Sequence, residues 1–319
     1  MNVVNPVYDF IQRNRVLSLI EKAQNSEART LALDDFDLKC FPDDLLFCHS
    51  LYSLKLGHNF IKELPTSITQ LKNLQHLSLE YNNLSEFPEA LRGIPQLVSL
   101  NISHNPIKDL TKDIRCFSSL EILWCNSCCL TRFPKEIGNL TKLDTLGARH
   151  NRLSKLPDEI CCLLNLRWLT LEDNKLCTLP KEVDNLKLLK HLNLNNNNLN
   201  CLPHRISRIK NLRYLHLQNN EFFSLPEKTI FAMPHTKINL RNNPLQLEDN
   251  KVFTNVIITG LENDILDMFG HDSDSSSDDW DNSLDSSDLN YSATDSESDN
   301  ENEEVVSHIP ILSKFLVTC

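Results

Sequence analysis

Residues 156–176 read LPDEICCLLNLRWLTLEDNKL, and residues 179–199 read LPKEVDNLKLLKHLNLNNNNL. The second stretch repeats the first at a distance of 23, matching Leu156 with Leu179, Pro157 with Pro180, Leu169 with Leu192, Leu171 with Leu194 and Asn174 with Asn197. The same period runs outward in both directions. The asparagine closing each apolar-x-apolar pair stands at Asn59, Asn82, Asn105, Asn151, Asn174, Asn197, Asn220 and Asn243, always 23 or twice 23 apart. Cys128 holds the one missing step, and Phe36 stands one step before Asn59. A second marker keeps the same spacing through Pro42, Pro65, Pro88, Pro134, Pro157, Pro180, Pro203 and Pro226, with Thr111 at the absent place. Two markers in one register over about ten units define a repeat architecture.

One unit explains the fold it predicts. Leu77 and Leu79 alternate with polar residues, as in a short strand with one buried face. Asn82 ends the strand, where its side chain can bond backbone as the chain turns inward. Pro88 fixes φ at the reversal, and Leu91, Ile94 and Leu97 recur every three residues, which suits a 3₁₀ turn. No unit covers its own apolar edge, so neighbours must stack. The predicted fold is α/β: a horseshoe solenoid with a parallel sheet on its concave side and short helices or 3₁₀ turns on its convex side.

The repeat LPxxIxxLxxLxxLxLxxN resembles that of intracellular leucine-rich repeat proteins of the Ras-suppressor and Scribble/Erbin type, over about residues 29–245. The resemblance implies a non-enzymatic adaptor or scaffold in signalling. Its implied protein partners include a small GTPase, a phosphatase or a polarity protein.

The remaining segments divide accordingly. Residues 1–28 read as an N-terminal capping helix, with Asn5 as cap, Pro6 in the first turn, and Val7, Phe10, Ile11, Leu17 and Ile20 as its apolar stripe. The solenoid spans 29–247, and 248–269 read as a C-terminal capping helix. Ile230, Met233 and Pro234 sit one place late for the period. Residues 270–304 hold nine Asp, four Glu and no Lys or Arg, a net of −13 in a chain of −11. The rest is therefore nearly neutral, which excludes a basic nucleic-acid footprint. That acidic stretch predicts a disordered tail. A short apolar segment, 305–319, follows it. Ser275, Ser276, Ser292, Thr294, Ser296 and Ser298 each precede an acidic residue by three, a pattern for an acidophilic kinase.

No signal peptide or membrane-spanning run is evident, so the 11 cysteines read as reduced thiols of a cytoplasmic or nuclear monomer. Cys125 and Cys128 form a C-x-x-C without a second pair, so each reads as a repeat position, not a metal ligand. Cys161 and Cys162 read as exposed thiols of the outer turn. No cofactor, metal or catalytic set is expected.

Candidate binding residues lie on the concave strand face. Ile122, Thr145, Trp168, His191, Tyr214 and Lys237 form one column, with Trp124 and His216 in the next. Arg149 and His150 lie beside Glu172 and Asp173. Trp, Tyr and Arg dominate interface energetics, although such rings can also pack on one another along the ladder. His58, His104 and His150 share a column at two-strand steps of roughly 10 Å, too far apart to share a metal. An alternative reading is an acidic-tailed regulator of a basic or phosphatase-linked partner such as a histone, partly like the acidic leucine-rich nuclear phosphoproteins. A third is a substrate receptor of a ubiquitin ligase, although no F-box-like segment precedes the repeats.

Overall fold

The computed structural model describes residues 6–224, 226–246 and 254–258. Among the described residues, helix α1 (Pro6–Asn25) precedes eleven short strands. These are β1 (Thr30–Ala32), β2 (Ser53–Lys55), β3 (His76–Ser78), β4 (Ser99–Asn101), β5 (Ile122–Trp124) and β6 (Thr145–Gly147). They continue as β7 (Trp168–Thr170), β8 (His191–Asn193), β9 (Tyr214–His216), β10 (Lys237–Asn239) and β11 (Val256–Ile257). They form one parallel sheet in chain order. The pairing keeps the period of the sequence: Leu54, Leu77, Leu100, Leu123, Leu146, Leu169, Leu192 and Leu215 lie in one row. All eight are buried. At about 1.5–3 kcal/mol for each buried leucine, this row and its parallel rows supply the main driving force.

The convex side is built from 3₁₀ turns. Proline stands before most of them in extended conformation, as at Pro65 (φ −70°) and Pro134 (φ −69°). Its carbonyl accepts the first turn bond, as from Ile68 to Pro65 at 3.1 Å. Thr111 takes the same backbone conformation (φ −80°, ψ 164°), and its carbonyl accepts from Ile114 at 3.2 Å. The exception is α2 (Glu227–Phe231), where Ile230 N–H reaches Pro226 O at 3.0 Å. The residue that puts Ile230 one place late widens a three-residue turn into an α turn.

Three expectations change in the structure. On α1 the buried residues are Val16, Ile20 and Ala23, whereas Val7, Phe10 and Ile11 are exposed. The later turns of α1 bury apolar side chains on the first coil, with contacts such as that of Cys48 Sγ with Ile20 O, whereas the first turn reaches it through the exposed hydrogen bond from Tyr8 OH to Asp37 Oδ2 at 3.1 Å. Cys161 is buried and only Cys162 is exposed. Val256 and Ile257, read as helical, extend the sheet by a strand, because the open edge of β10 offers N–H groups that Asn255 O and Ile257 O accept at 2.9 and 2.8 Å. The rest of 248–269, the acidic tail and the apolar segment 305–319 lie outside the described residues. Among the described residues, no helix is long and apolar enough to cross a membrane.

The asparagines form a ladder. Asn174 Nδ2 donates to Leu171 O (3.1 Å), Glu172 O (3.1 Å) and, one coil back, Ala148 O (2.9 Å), while its Oδ1 accepts from Leu153 N–H at 3.0 Å. Asn82, Asn105, Asn151, Asn197 and Asn220 repeat the arrangement. Cys128 copies the donor half only: its Sγ reaches Ile102 O at 3.2 Å and Asn126 O at 3.4 Å. Burial pushes this thiol's pKa up to about 12, which keeps it a donor. A thiol has no equivalent of Oδ1, so Ile107 N–H turns back to Asn105 O at 2.7 Å. Leu245 does the same to Asn243 O at 2.8 Å, and in both cases a proline, Pro106 or Pro244, lies between.

Two substitutions test the ladder. Asn174→Ala leaves buried carbonyls and an amide unpaired and is expected to cost roughly 2–4 kcal/mol in denaturant unfolding. Cys128→Asn gives Ile107 N–H its acceptor and is expected to gain about 1 kcal/mol. A neutral Asn174→Ala or a destabilising Cys128→Asn would contradict this account.

Candidate functional site

The first residue of each strand points away from the leucine rows, and pairing sets Ile122, Thr145, Trp168, His191, Tyr214 and Lys237 side by side. Parallel strands lie about 4.8 Å apart, close to the separation of stacked rings. Trp168 and His191 stack at 3.6 Å between centroids and 5° between planes. His191 and Tyr214 follow at 4.7 Å and 18°. Lys237 Nζ completes the row 5.4 Å from the Tyr214 centroid, a cation–π contact. The rings therefore pack on each other and also face the groove: Trp168 and Tyr214 are half-buried, while His191 between them is only 7% exposed.

This burial sets the chemistry of the histidines. His191 is pushed down to about 3, first by burial and then by the neighbouring His216, Lys190 and Arg213. Half-buried His216, one column over, is lowered to about 4 by burial. His76 is also lowered by burial, which Glu121 partly opposes. Near neutral pH the centre of this face therefore carries neutral imidazoles.

Trp124 is part of the floor. Its indole covers Gly147 so closely that a Cβ there would lie 2.1 Å from Cε3, and Trp124 itself is 6% exposed. Glycine opposite the ring is what lets the indole lie flat. Arg149 and His150 lie apart from the aromatic row. Arg149 faces Glu172 at 3.8 Å, and Glu172 also accepts from Asn193 Nδ2 at 3.1 Å. Burial raises the Glu172 pKa, against the pull of Arg149. His150 Nδ1 meets Asp173 at 3.0 Å.

His150 and Asp173 belong to a rim column with positive φ, running through His58, Tyr81, His104, Ser127, His150, Asp173, Asn196, Asn219 and Asn242 at 50–56°. Within it, Tyr81 stacks between His58 (4.3 Å) and His104 (4.0 Å). His58 and His104 are thus separated by an aromatic ring, and His104 and His150 by Ser127.

The structure gathers Trp168, His191, Tyr214 and His216 into one surface and leaves Trp124, Arg149 and His150 to other roles. Sequence reasoning missed the cations beside that surface: Arg167, Lys190 and Arg213, 23 apart just before successive strands, and Lys187 and Lys210 in the preceding turns. The period that aligned the rings would have aligned them too. Ser275, Ser276, Ser292, Thr294, Ser296 and Ser298 lie outside the described residues. Among the described residues, no three His, Cys, Asp or Glu side chains converge as metal ligands. Burial also raises the Cys125 thiol, and takes that of Cys161 to about 12.

Comparison with known proteins places these repeats. A family model described as Leucine rich repeat matches residues 49–107, and one described as Leucine-rich repeat region matches 150–234. The unmatched interval contains the irregular unit of Thr111 and Cys128. No curated protein matches the chain. Among solved structures, a leucine-rich repeat protein of Leptospira interrogans is 28% identical, with 78% of each chain covered and a TM-score of 0.55. The leucine-rich repeat ectodomain of the receptor kinase GASSHO1/SCHENGEN3 of Arabidopsis thaliana, in complex with CASPARIAN STRIP INTEGRITY FACTOR 2, is also 28% identical. That match covers 70% of this chain and 28% of the ectodomain chain, at a TM-score of 0.61. InlJ of Listeria monocytogenes, at 22% identity, 70% and 46% coverage and a TM-score of 0.60, shares the fold. The chain thus shares the solenoid fold of these leucine-rich repeat structures, with a parallel sheet on one side and short 3₁₀ turns on the other.

Proposed function

We propose that this solenoid is a non-enzymatic scaffold of intracellular signalling that holds a protein partner on its concave face, across Trp168, His191 and Tyr214. The observation that carries the reading is the stacked row itself. It presents two half-buried aromatic rings on a rigid sheet, and their packing on His191 limits the side-chain entropy lost on binding. Other polar groups of the face are already joined to each other, as in Glu172 with Asn193 and Gln218 with Asn239. The ectodomain of GASSHO1/SCHENGEN3, with a related fold, is known in complex with a partner, which fits this use of the architecture. Cys128 donates as a thiol within the ladder, a state that a reducing compartment maintains.

Replacing Trp168 and Tyr214 together by alanine removes the row's exposed rings and leaves the leucine rows intact. In affinity capture with quantitative mass spectrometry, the partners of the full chain are expected to fall about tenfold or more. The melting temperature is expected to change little compared with Asn174→Ala. Unchanged capture by the folded variant would reject this face.

Acid gives a second test. The folded-state pKa values of His191, His216 and His76 are depressed, so the unfolded chain takes up protons first as pH falls. Their neutral forms favour the fold above about pH 6.5, and this contribution is lost as pH falls from there toward the folded values. His191 alone is expected to cost about 2 kcal/mol of stability between pH 7 and pH 5. His191→Phe, which keeps a ring between Trp168 and Tyr214, is expected to flatten the pH dependence. Imidazole signals of His191 titrating near 6.5 in the folded protein would contradict this assignment.

A further inference from the structure

At the C-terminal end of the aromatic row the surface sinks into a depression of about 380 Å³. Lys190, Lys210, Arg213 and Lys237 line it together with Tyr214 and His235, and none of its lining residues is acidic. The cations arrive there for a topological reason. Lys190 and Arg213 each precede a strand, β8 and β9, one period apart, and Lys237 opens β10. Lys210 lies in the turn leading to β9, whose neighbour Asn211 donates from Nδ2 to Lys187 O at 2.7 Å and so ties adjacent coils together.

The same edge changes sign along the sheet. One and two coils before Arg167 the equivalent positions are Asp144 and Glu121, and Arg167 is paired with Asp144. Apart from Arg29 at the far end of the sheet, which lies over the Tyr52 ring at 5.1 Å, the cations of this edge are therefore grouped toward the β8–β10 end. The effect of Lys190 and Arg213 on the neighbouring imidazole of His191 registers the same local potential.

We propose that this depression binds a short acidic segment of the protein partner, its carboxylates lodged among Lys190, Lys210, Arg213 and Lys237, while the adjoining residues lie on Tyr214, His191 and Trp168. Charge complementarity selects the occupant. A continuous polyanion such as nucleic acid would be repelled once it passed Arg167 toward Asp144 and Glu121, whereas a local cluster of carboxylates beside apolar residues matches both the cations and the rings. Such pairs lie at an accessible rim, so they act on encounter rate and selectivity and weaken with salt. The inference rests on the concave-face reading and adds to it the chemical class of the partner's contacting segment.

Fluorescence anisotropy of the full chain with a short labelled peptide, rich in Asp and Glu and ending in leucine and tryptophan, tests it. Binding is expected to weaken roughly tenfold when the acids are replaced by Asn and Gln, and by a similar factor in Lys190→Glu/Lys210→Glu. A single-stranded oligonucleotide of equal charge is expected to bind more weakly than the acidic peptide. Absence of peptide binding, equal binding of the neutral peptide, indifference to the two charge reversals, or preference for the oligonucleotide would each overturn the proposal. Partner capture separates the two readings. Loss of capture in Trp168→Ala/Tyr214→Ala with retention in Lys190→Glu/Lys210→Glu removes the acidic-segment proposal and leaves the face. Retention in both removes the face.

Discussion

A buried primary amide joins one coil to the next. The asparagine side chain has two N–H donors and one carbonyl acceptor, and in this chain it uses them to bind its own turn and the preceding coil at once, as Asn197 does with Leu194 O, Leu171 O and Leu176 N–H. Leucine packing and strand pairing bring neighbouring coils into register, and the amide reinforces their relative rotation, because its donors and acceptor have fixed geometry and their loss inside the core is costly. Once the rotation is fixed, residues 23 apart in sequence stand about one strand spacing apart in space. Every column follows from that, including the rings and the cations.

The irregular unit supports this view of the ladder. Where Cys128 replaces the amide, the thiol reaches two of the three carbonyls that an asparagine would, the acceptor contact vanishes, and the orphaned Ile107 N–H finds a local carbonyl. Thr111 replaces proline in the same unit. The sheet still pairs in register across it, from Leu100 to Leu123 to Leu146. A stack with nearest-neighbour coupling tolerates such a lapse because the coils on either side hold the register.

The period made the fold legible from residues alone, since it determines which side chains stack and which face the groove. It also made the aromatic row legible, because Trp168, His191 and Tyr214 hold one phase. What it did not reveal depended on neighbours. Trp124 holds a groove-facing phase, yet the absence of a side chain at Gly147 lets its indole lie flat and become floor. Cys161 occupies an outer phase, yet lies buried in its 3₁₀ turn. The stripe of α1 misled because helical periodicity marks which face is apolar and not how far the helix reaches along its support. The strand at Val256–Ile257 was hidden because two β-branched residues within an apolar run suit a helix or a sheet edge alike.

The claim that register makes the surface can be tested by removing one period. An in-frame deletion of residues 61–83 takes out 23 positions upstream of the aromatic row and rejoins equivalent points of the repeat. Measured by denaturant unfolding with tryptophan fluorescence, this chain is expected to unfold cooperatively with the native Trp168 signal, while a control lacking one residue fewer is expected to lose cooperativity. Equal behaviour of the two deletions, whether both fold or both fail, would contradict a structure held in phase by its amide ladder.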